Sequence, residues 1–246
     1  MVRTVANKLG FDIVRTSSPV ATFHSPHYLR HNARRLEHLA SLRVDVAGRS
    51  VLEVGAGIGD HSHYYLDRGC SLTITEARSD NLRALRRRYP ANSVQFLDLD
   101  RPTAVDGAPF DVVHCYGLLY HLGNPNQALE FLSRNTTALL FLETCVSFGD
   151  EDELYPVDED ISNPSQAYSG VGRRPTRPWL FKRLQALFEH VYVPTTQPNH
   201  EEFPLHWNGA SVDQTGLTRA VFIASRNRVE NEALVGSLIS TQKRHH

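Results

Sequence analysis

The chain has only three cysteines, two tryptophans and one methionine in 246 residues, and its charges nearly cancel, at -1. Each scarcity excludes something. Cys70, Cys115 and Cys145 are isolated, odd in number and without a C-x-x-C pair, so neither a disulfide framework nor a cysteine zinc site is indicated. No apolar run approaches the ~18 residues that a spanning helix needs. The first residues, MVRTVANKLGFDIVRTSS, lack the apolar core of a secretory signal, and a cytoplasmic protein is the expectation. A near-zero net charge asks for no polyanionic partner, and the run Arg86–Arg88 reads as a solvated helix face.

What is present is ordinary for a globular protein: 41% hydrophobic and 22% charged residues, enough for one large α/β domain. Leu29, Ala33, Leu36, Leu39 and Ala40 recur at helical spacing and predict an amphipathic helix over 28–42. From there short apolar runs alternate with helical patterns. "SVLEVG" (50–55), "SLTITE" (71–76), "VQFLDLD" (94–100), "FDVVHCYG" (110–117) and "TALLFLET" (137–144) read as strands, with helices over 59–68, 79–88 and 125–134. That rhythm predicts a Rossmann-like, doubly wound, mostly parallel sheet of about seven strands with helices on both faces.

The rhythm breaks after Thr144. Residues 147–178 are acidic, then proline-rich, and show no periodicity. A helix returns at 179–189, and strands are expected at 191–196 and 220–225. The expected organisation is therefore an N-terminal helical or lid segment (1–47), a domain over 48–228 with insertions at 147–178 and 197–215, and a C-terminal tail (229–246).

The most informative stretch is "VLEVGAGIGD". A strand runs into Gly55-x-Gly57-x-Gly59 and then into a helix, a turn in which Gly57 admits a ligand close to the backbone. The dinucleotide fingerprint G-x-G-x-x-G has a different spacing. Glu53 lies two residues before the turn, and Glu76 ends the second strand 21 residues after Gly55, where a carboxylate can accept both hydroxyls of a ribose.

Over residues 48–145 these features resemble the class I S-adenosylmethionine-dependent methyltransferase family. "FDVVHCYGLLYHLGNP", with Asp111, Leu119, His121, Leu122 and Pro125, is similar to that family's fourth strand and the turn after it. The resemblance implies S-adenosyl-L-methionine as cofactor, held by Glu53, Gly55, Gly57, Gly59 and Glu76. It also implies an adenine contact from Asp98 or Asp100 around Leu99, with Tyr116 at the end of the fourth strand.

Methyl transfer needs alignment, exclusion of water and, for a hydroxyl acceptor, a base. The candidates are His121 past the fourth strand, Glu143 at the end of the fifth, and His200 and His206 in the aromatic-rich "QPNHEEFPLHW". His24 and His27 can close over the site from the N-terminus. His121 also has a purely structural reading under the cofactor, Glu143 one as a partner of Arg174 or Arg177, and the 200–207 stretch one as surface loop. No His, Asp or Glu spacing has the regularity of a ligand set, so no metal is expected. The expected activity is O-methylation of a small-molecule or glycan-type acceptor, without a nucleic-acid or membrane partner. The alternatives are a tRNA/RNA methyl- or carboxymethyl-transferring enzyme on the same fold, which "LFLET" and "RPTRPWLFKRL" loosely resemble, and a non-catalytic cofactor-binding subunit.

Overall fold

The computed structural model describes residues 18–163, 165, 169–207 and 217–246. Two helices come first, α1 (Pro19–Phe23) and α2 (Pro26–Ser41), each opened by serine followed by proline. The Ser18 and Ser25 hydroxyls accept hydrogen bonds from the Ala21 and Tyr28 amides, and the proline sits where no helical N–H is needed. The alternating part then runs β1 (Ser50–Val54), α3 (Ser62–Leu66), β2 (Ser71–Glu76), α4 (Ser79–Arg88), β3 (Ser93–Phe96), β4 (Phe110–Tyr116), α5 (Pro125–Arg134) and β5 (Thr136–Cys145).

A hairpin follows, β6 (Leu154–Asp158) with β7 (Val171–Pro175), then α6 (Arg177–Leu187), β8 (His190–Pro194), β9 (Thr196–Gln197), β10 (Arg219–Ser225), β11 (Leu234–Val235) and β12 (Lys243–Arg244). The main sheet has the order β11-β8-β10-β5-β4-β1-β2-β3. Strands β1 to β5 pair in parallel, whereas β10 is antiparallel to both β5 and β8. The order reverses between β1 and β4, and a ligand crevice is expected at the carboxyl ends of those strands.

The expected α/β class holds, with three corrections. The eighth strand is the two-residue edge β11, and it belongs to the segment expected as a tail; β11 pairs with β8, and β12 pairs with β9. Residues 147–178 contain an antiparallel hairpin, whose half-exposed strands of Pro, Gly and Arg carry no readable alternation. The third strand stops at Phe96, so Asp98, Leu99 and Asp100 lie in the loop beyond it. Residues 1–17 of the expected helical or lid segment (1–47), and 208–215 of the second insertion, fall outside the described residues.

Period-two alternation sorts the core into two layers. Leu52, Val54, Val113, Cys115, Leu140, Leu142 and Phe222 face α5 and α6. Val51, Val112, Phe141, Val221 and Ile223 face α2, α3 and α4. By the same parity Glu53, His114, Tyr116, Glu143 and Arg219 fall on the α2 face, all at the carboxyl edge of the sheet. Five polar side chains on a buried face are a large desolvation cost unless they meet partners.

At the opposite edge Asp111 pins β4 to β1. Its carboxylate accepts from the Ser50 amide at 2.9 Å and the Ser50 hydroxyl at 2.7 Å, and its amide donates to that hydroxyl at 2.9 Å. Those bonds hold its carboxyl below the usual range. Replacement Asp111→Ala is expected to cost about 1 kcal/mol in urea unfolding at pH 7. A depressed carboxyl pKa stabilises above the unfolded value and is lost as pH falls through the folded one, so the difference between the two proteins should vanish in acid.

Candidate active site

A cleft of about 1070 Å³ opens at the carboxyl ends of β1, β2 and β4. The glycine turn forms its floor. Gly57 has φ +58°, and a Cβ there would lie 2.9 Å from the Phe23 ring, which α1 brings over the turn. Gly59 serves packing: a Cβ would lie 2.4 Å from Tyr89, just past α4, and it does not line the cleft.

Glu76 is buried at one end. Its carboxylate accepts from the amides of Gly57 (2.8 Å), Ala77 (2.8 Å) and Arg78 (2.9 Å). Burial raises its pKa and these amides oppose the rise. The side chain therefore joins the glycine turn to the start of α4, a structural task beyond ribose binding. Asp98 and Asp100 line the cleft beside it, with Leu99 between them. The Asp100 carboxylate accepts from the Asn124 amide at 3.1 Å, fastening the turn before α5. Asp98 accepts only from the Asp100 amide, at 2.9 Å, among the described hydrogen bonds to its side chain.

The other end is lined by Glu53, His61, His114, Tyr116, Arg35 and Arg219. The Ser62 hydroxyl donates to Glu53 at 2.5 Å, and burial pushes that carboxyl up to about 7. His114 stands 2.9 Å from the Tyr65 hydroxyl and 3.2 Å from His61, and burial brings its pKa down to about 3. The Tyr116 hydroxyl, Arg35 Nε and His61 Nε2 are buried without a hydrogen-bond partner. Unpaired donors converging beside a carboxylate suit a small zwitterion, which carries both the charge they lack and the amine Glu53 lacks.

Glu143 is wholly buried but does not line the cleft; it lies behind it. Arg35 of α2 donates to one of its oxygens at 2.6 Å and Arg219 of β10 to the other at 3.1 Å. Arg219 also donates to Glu202 at 2.5 Å and to the Tyr120 hydroxyl at 3.2 Å. Glu143 is thus an anchor, and its partners are not Arg174 or Arg177.

His121 does line the cleft, and its Nδ1 is hydrogen-bonded to the carboxylate of Glu159, just beyond the β6 strand. Burial lowers its pKa and Glu159 partly restores it. His200 and His206 are outside the cleft, against expectation. His200 is buried against His31, and His206 is exposed, bridged through its backbone to Thr241. The neighbouring aromatics are core: Phe203 is wholly buried, and Trp207 packs on Phe148 and Arg177 and donates to Gln242 at 2.7 Å. His24 approaches Asp60 at the rim of the turn, and His27 approaches Glu202. Sequence reasoning missed Arg35, Arg219, His61 and His114. Only His114 had a local signal, a polar residue mid-strand with the parity of Tyr116.

Removing Glu143 leaves two buried guanidinium groups short of a carboxylate. Glu143→Ala is expected to destabilise the protein by about 3–5 kcal/mol, read by denaturant unfolding. A loss under 1 kcal/mol would mean that the two arginines find other partners.

Comparison with known proteins agrees with this geometry. A family model described as a methyltransferase domain matches residues 52–138. A tRNA U34 carboxymethyltransferase of Alteromonas mediterranea is 33% identical over 133 residues, 50% of this chain and 39% of that protein. A ubiquinone biosynthesis O-methyltransferase of Psychrobacter arcticus is 26% identical over 134 residues, 48% of this chain and 52% of that protein. The chain thus spans about half the length, or less, of the curated relatives it matches. Among solved structures, the N-terminal domain of EvdMO1 with SAH bound superposes with a TM-score of 0.62 at 22% identity, over 82% of this chain and 84% of that one. The glycine turn, the acid at the end of β2 and the β4 signature thus meet at one cleft, and all three lie within residues 52–138, which match a methyltransferase domain.

Proposed function

We propose that the protein transfers a methyl group from S-adenosylmethionine to a hydroxyl of a small-molecule or glycan-type acceptor, with His121 as general base. The observation that carries this is the His121–Glu159 pair at the cleft wall. When bound, the cofactor supplies an electrophilic methyl group on a sulfonium. Glu76 takes the ribose hydroxyls, Asp98, the less committed of the two loop carboxylates, takes the adenine amino group, and Glu53, Arg35 and Tyr116 take the amino-acid end.

The acceptor chemistry falls to the chain itself. Glu159 fixes the His121 tautomer with the proton on Nδ1, which makes Nε2 the nitrogen that receives the acceptor's proton. Burial keeps the imidazole neutral, hence basic, at pH 7. The EvdMO1 domain, on the same fold, was also solved in the presence of SAH and D-fucose.

The second reading, a tRNA acceptor, has support in the two tRNA U34 carboxymethyltransferases among the relatives. The charge balance favours the first: net charge is -1, and Arg35 and Arg219 at the cleft are held by Glu143 and Glu202. A salt-sensitive gel shift with tRNA would reverse that preference. Three buried free thiols are compatible with a reducing compartment, and among the described residues no helix is long and apolar enough to cross a membrane.

Calorimetry should show S-adenosylmethionine or its demethylated product binding in the micromolar range, about -8 kcal/mol. Glu76→Gln, which keeps the shape of the side chain, should weaken it by roughly 1.5–3 kcal/mol. Binding of a nicotinamide cofactor instead, or an unchanged affinity in the variant, would contradict the assignment.

For the base, His121→Ala should lower turnover by ~10²–10⁴ while cofactor affinity stays within twofold, by the usual worth of a positioned base. The kcat/KM profile should fall on its acid side through a pKa below the usual imidazole range. Glu159→Gln removes an influence that raises that pKa, so the limb should move to still lower pH. A limb that does not move in Glu159→Gln sinks the dyad.

A further inference from the structure

Helix α2 carries two histidines one turn apart, His27 and His31, on the flank turned from the cleft, whereas Tyr28, Asn32 and Arg35 line the cleft. A His pair at i, i+4 presents two imidazoles to one point. Facing them is the segment after β9, with His200 and Glu202. The His31 and His200 rings are 4.6 Å apart, and those of His27 and His200 are 5.6 Å apart.

Two of these imidazoles each leave one buried nitrogen without a hydrogen bond, while His200 Nδ1 accepts from the Glu202 amide at 3.3 Å. His31 Nε2 and His200 Nε2 have no hydrogen-bond partner, although the residues are only 1% and 2% exposed. An orphaned polar atom on a nearly inaccessible side chain is a standing cost, and each of these two lies 3.7 Å from a carboxylate oxygen, His31 Nε2 from Glu202 and His200 Nε2 from Glu201. His31 Nε2 lies 3.7 Å from one oxygen of Glu202, and His27 Nε2 lies 3.4 Å from the other. Both spacings are long for a hydrogen bond. They match the edge of a coordination tetrahedron, because an ion bound at about 2.0–2.1 Å holds its donors about 3.3 Å apart. The donor atoms of His31, His200 and Glu202 lie within 4.8 Å of one another.

We propose that His31, His200 and Glu202, with His27 as fourth donor on the exposed side, form a binding site for a divalent transition-metal ion of the zinc type. Three imidazoles and a carboxylate are a borderline-soft set that favours zinc over magnesium or calcium. The surrounding charge permits a cation: Arg35 and Arg219 are balanced by Glu143 and Glu202, and Arg30 is paired with Glu201. Arg219 donates to Glu202 and fixes its orientation, as the outer partner of a ligating carboxylate does. The ion would clasp α2 to the segment after β9, and it does not depend on the acceptor proposed above.

A second cluster, Glu53, His61 and His114, has the same donor types. Both His114 nitrogens, His61 Nδ1 and one Glu53 oxygen are taken up with one another and with Ser62 and Tyr65, of the imidazole nitrogens only His61 Nε2 is left over, and the cluster lines the cofactor cleft. It therefore serves as the control.

The test is a cobalt titration of protein stripped of metal by chelator, with His245 and His246 changed to Asn so that the terminal pair contributes nothing. One equivalent of Co²⁺ should bind, give the intense visible bands of a four-coordinate nitrogen and oxygen site, be displaced by Zn²⁺, and raise the melting temperature. His27→Ala, whose half-exposed side chain puts the fold least at risk, should weaken binding at least tenfold, and His200→Ala more. His61→Ala should leave the bands unchanged. Absence of stoichiometric binding at micromolar metal in the otherwise unaltered protein would overturn the proposal. So would binding that survives His27→Ala and His200→Ala but is lost in His61→Ala.

Discussion

Glu143 is where the molecule closes. It is wholly buried at the end of the central strand β5, and each of its oxygens meets a guanidinium from a different part of the chain, Arg35 from α2 and Arg219 from β10. Arg219 then reaches Glu202 and Tyr120. One carboxylate thus ties the N-terminal helix, the antiparallel strand, the segment after β9 and the turn after β4. Two charges of each sign cancel, which is the condition under which ions survive burial. The stabilisation is modest beside a hydrophobic core. What the network provides is position: α2 lies over the carboxyl edge because Arg35 has somewhere to go, and the cleft has a wall because α2 lies there.

The cleft shows a division of labour along its length. At the Glu76 end the donors are backbone amides, and their geometry follows from the turn and the start of α4. At the Glu53 end the groups are side chains from four elements, several with unpaired buried atoms. The first end is built before any ligand arrives. The second retains the desolvation cost until one does, and a ligand with charged amino and carboxyl groups is the one that removes it.

This difference explains what was legible in the sequence. The glycine turn and Glu76 were readable because each belongs to a short strand-turn-helix unit whose dihedrals the local residues dictate, whereas Asp98–Asp100, read as the end of a strand, lie in the loop beyond it. The mostly parallel sheet with helices on both faces followed from the alternation of strand and helix patterns. Arg35 and Arg219 were not readable, since nothing within ten residues of either marks it; each acquires its role from a partner more than seventy residues away. The stretch from His200 to Trp207 misled for a related reason. Aromatics in a long connection suggest a pocket, but here they cover the C-terminal residues, with Trp207 bonded to Gln242, a contact no local pattern encodes.

The thirteen histidines divide by the same logic. An imidazole's function depends on what its second nitrogen meets. His114 meets Tyr65 and His61, so it is a fixed neutral element of the cofactor wall. His121 meets a carboxylate on one nitrogen, which makes the other basic and aims it. His31 and His200 each leave Nε2 with no partner among the described residues, in a place water scarcely reaches. The i, i+4 pair of His27 and His31 was visible in the sequence all along. His27 read with His24 as part of a lid and His31 was not singled out, because the rest of the donor set lies some 170 residues further on, at His200 and Glu202. Regular spacing identifies a ligand set only when the whole set is local; when it is divided between a helix and a distant loop, what marks it is an unsatisfied buried nitrogen on each side, beside the carboxylates of Glu201 and Glu202.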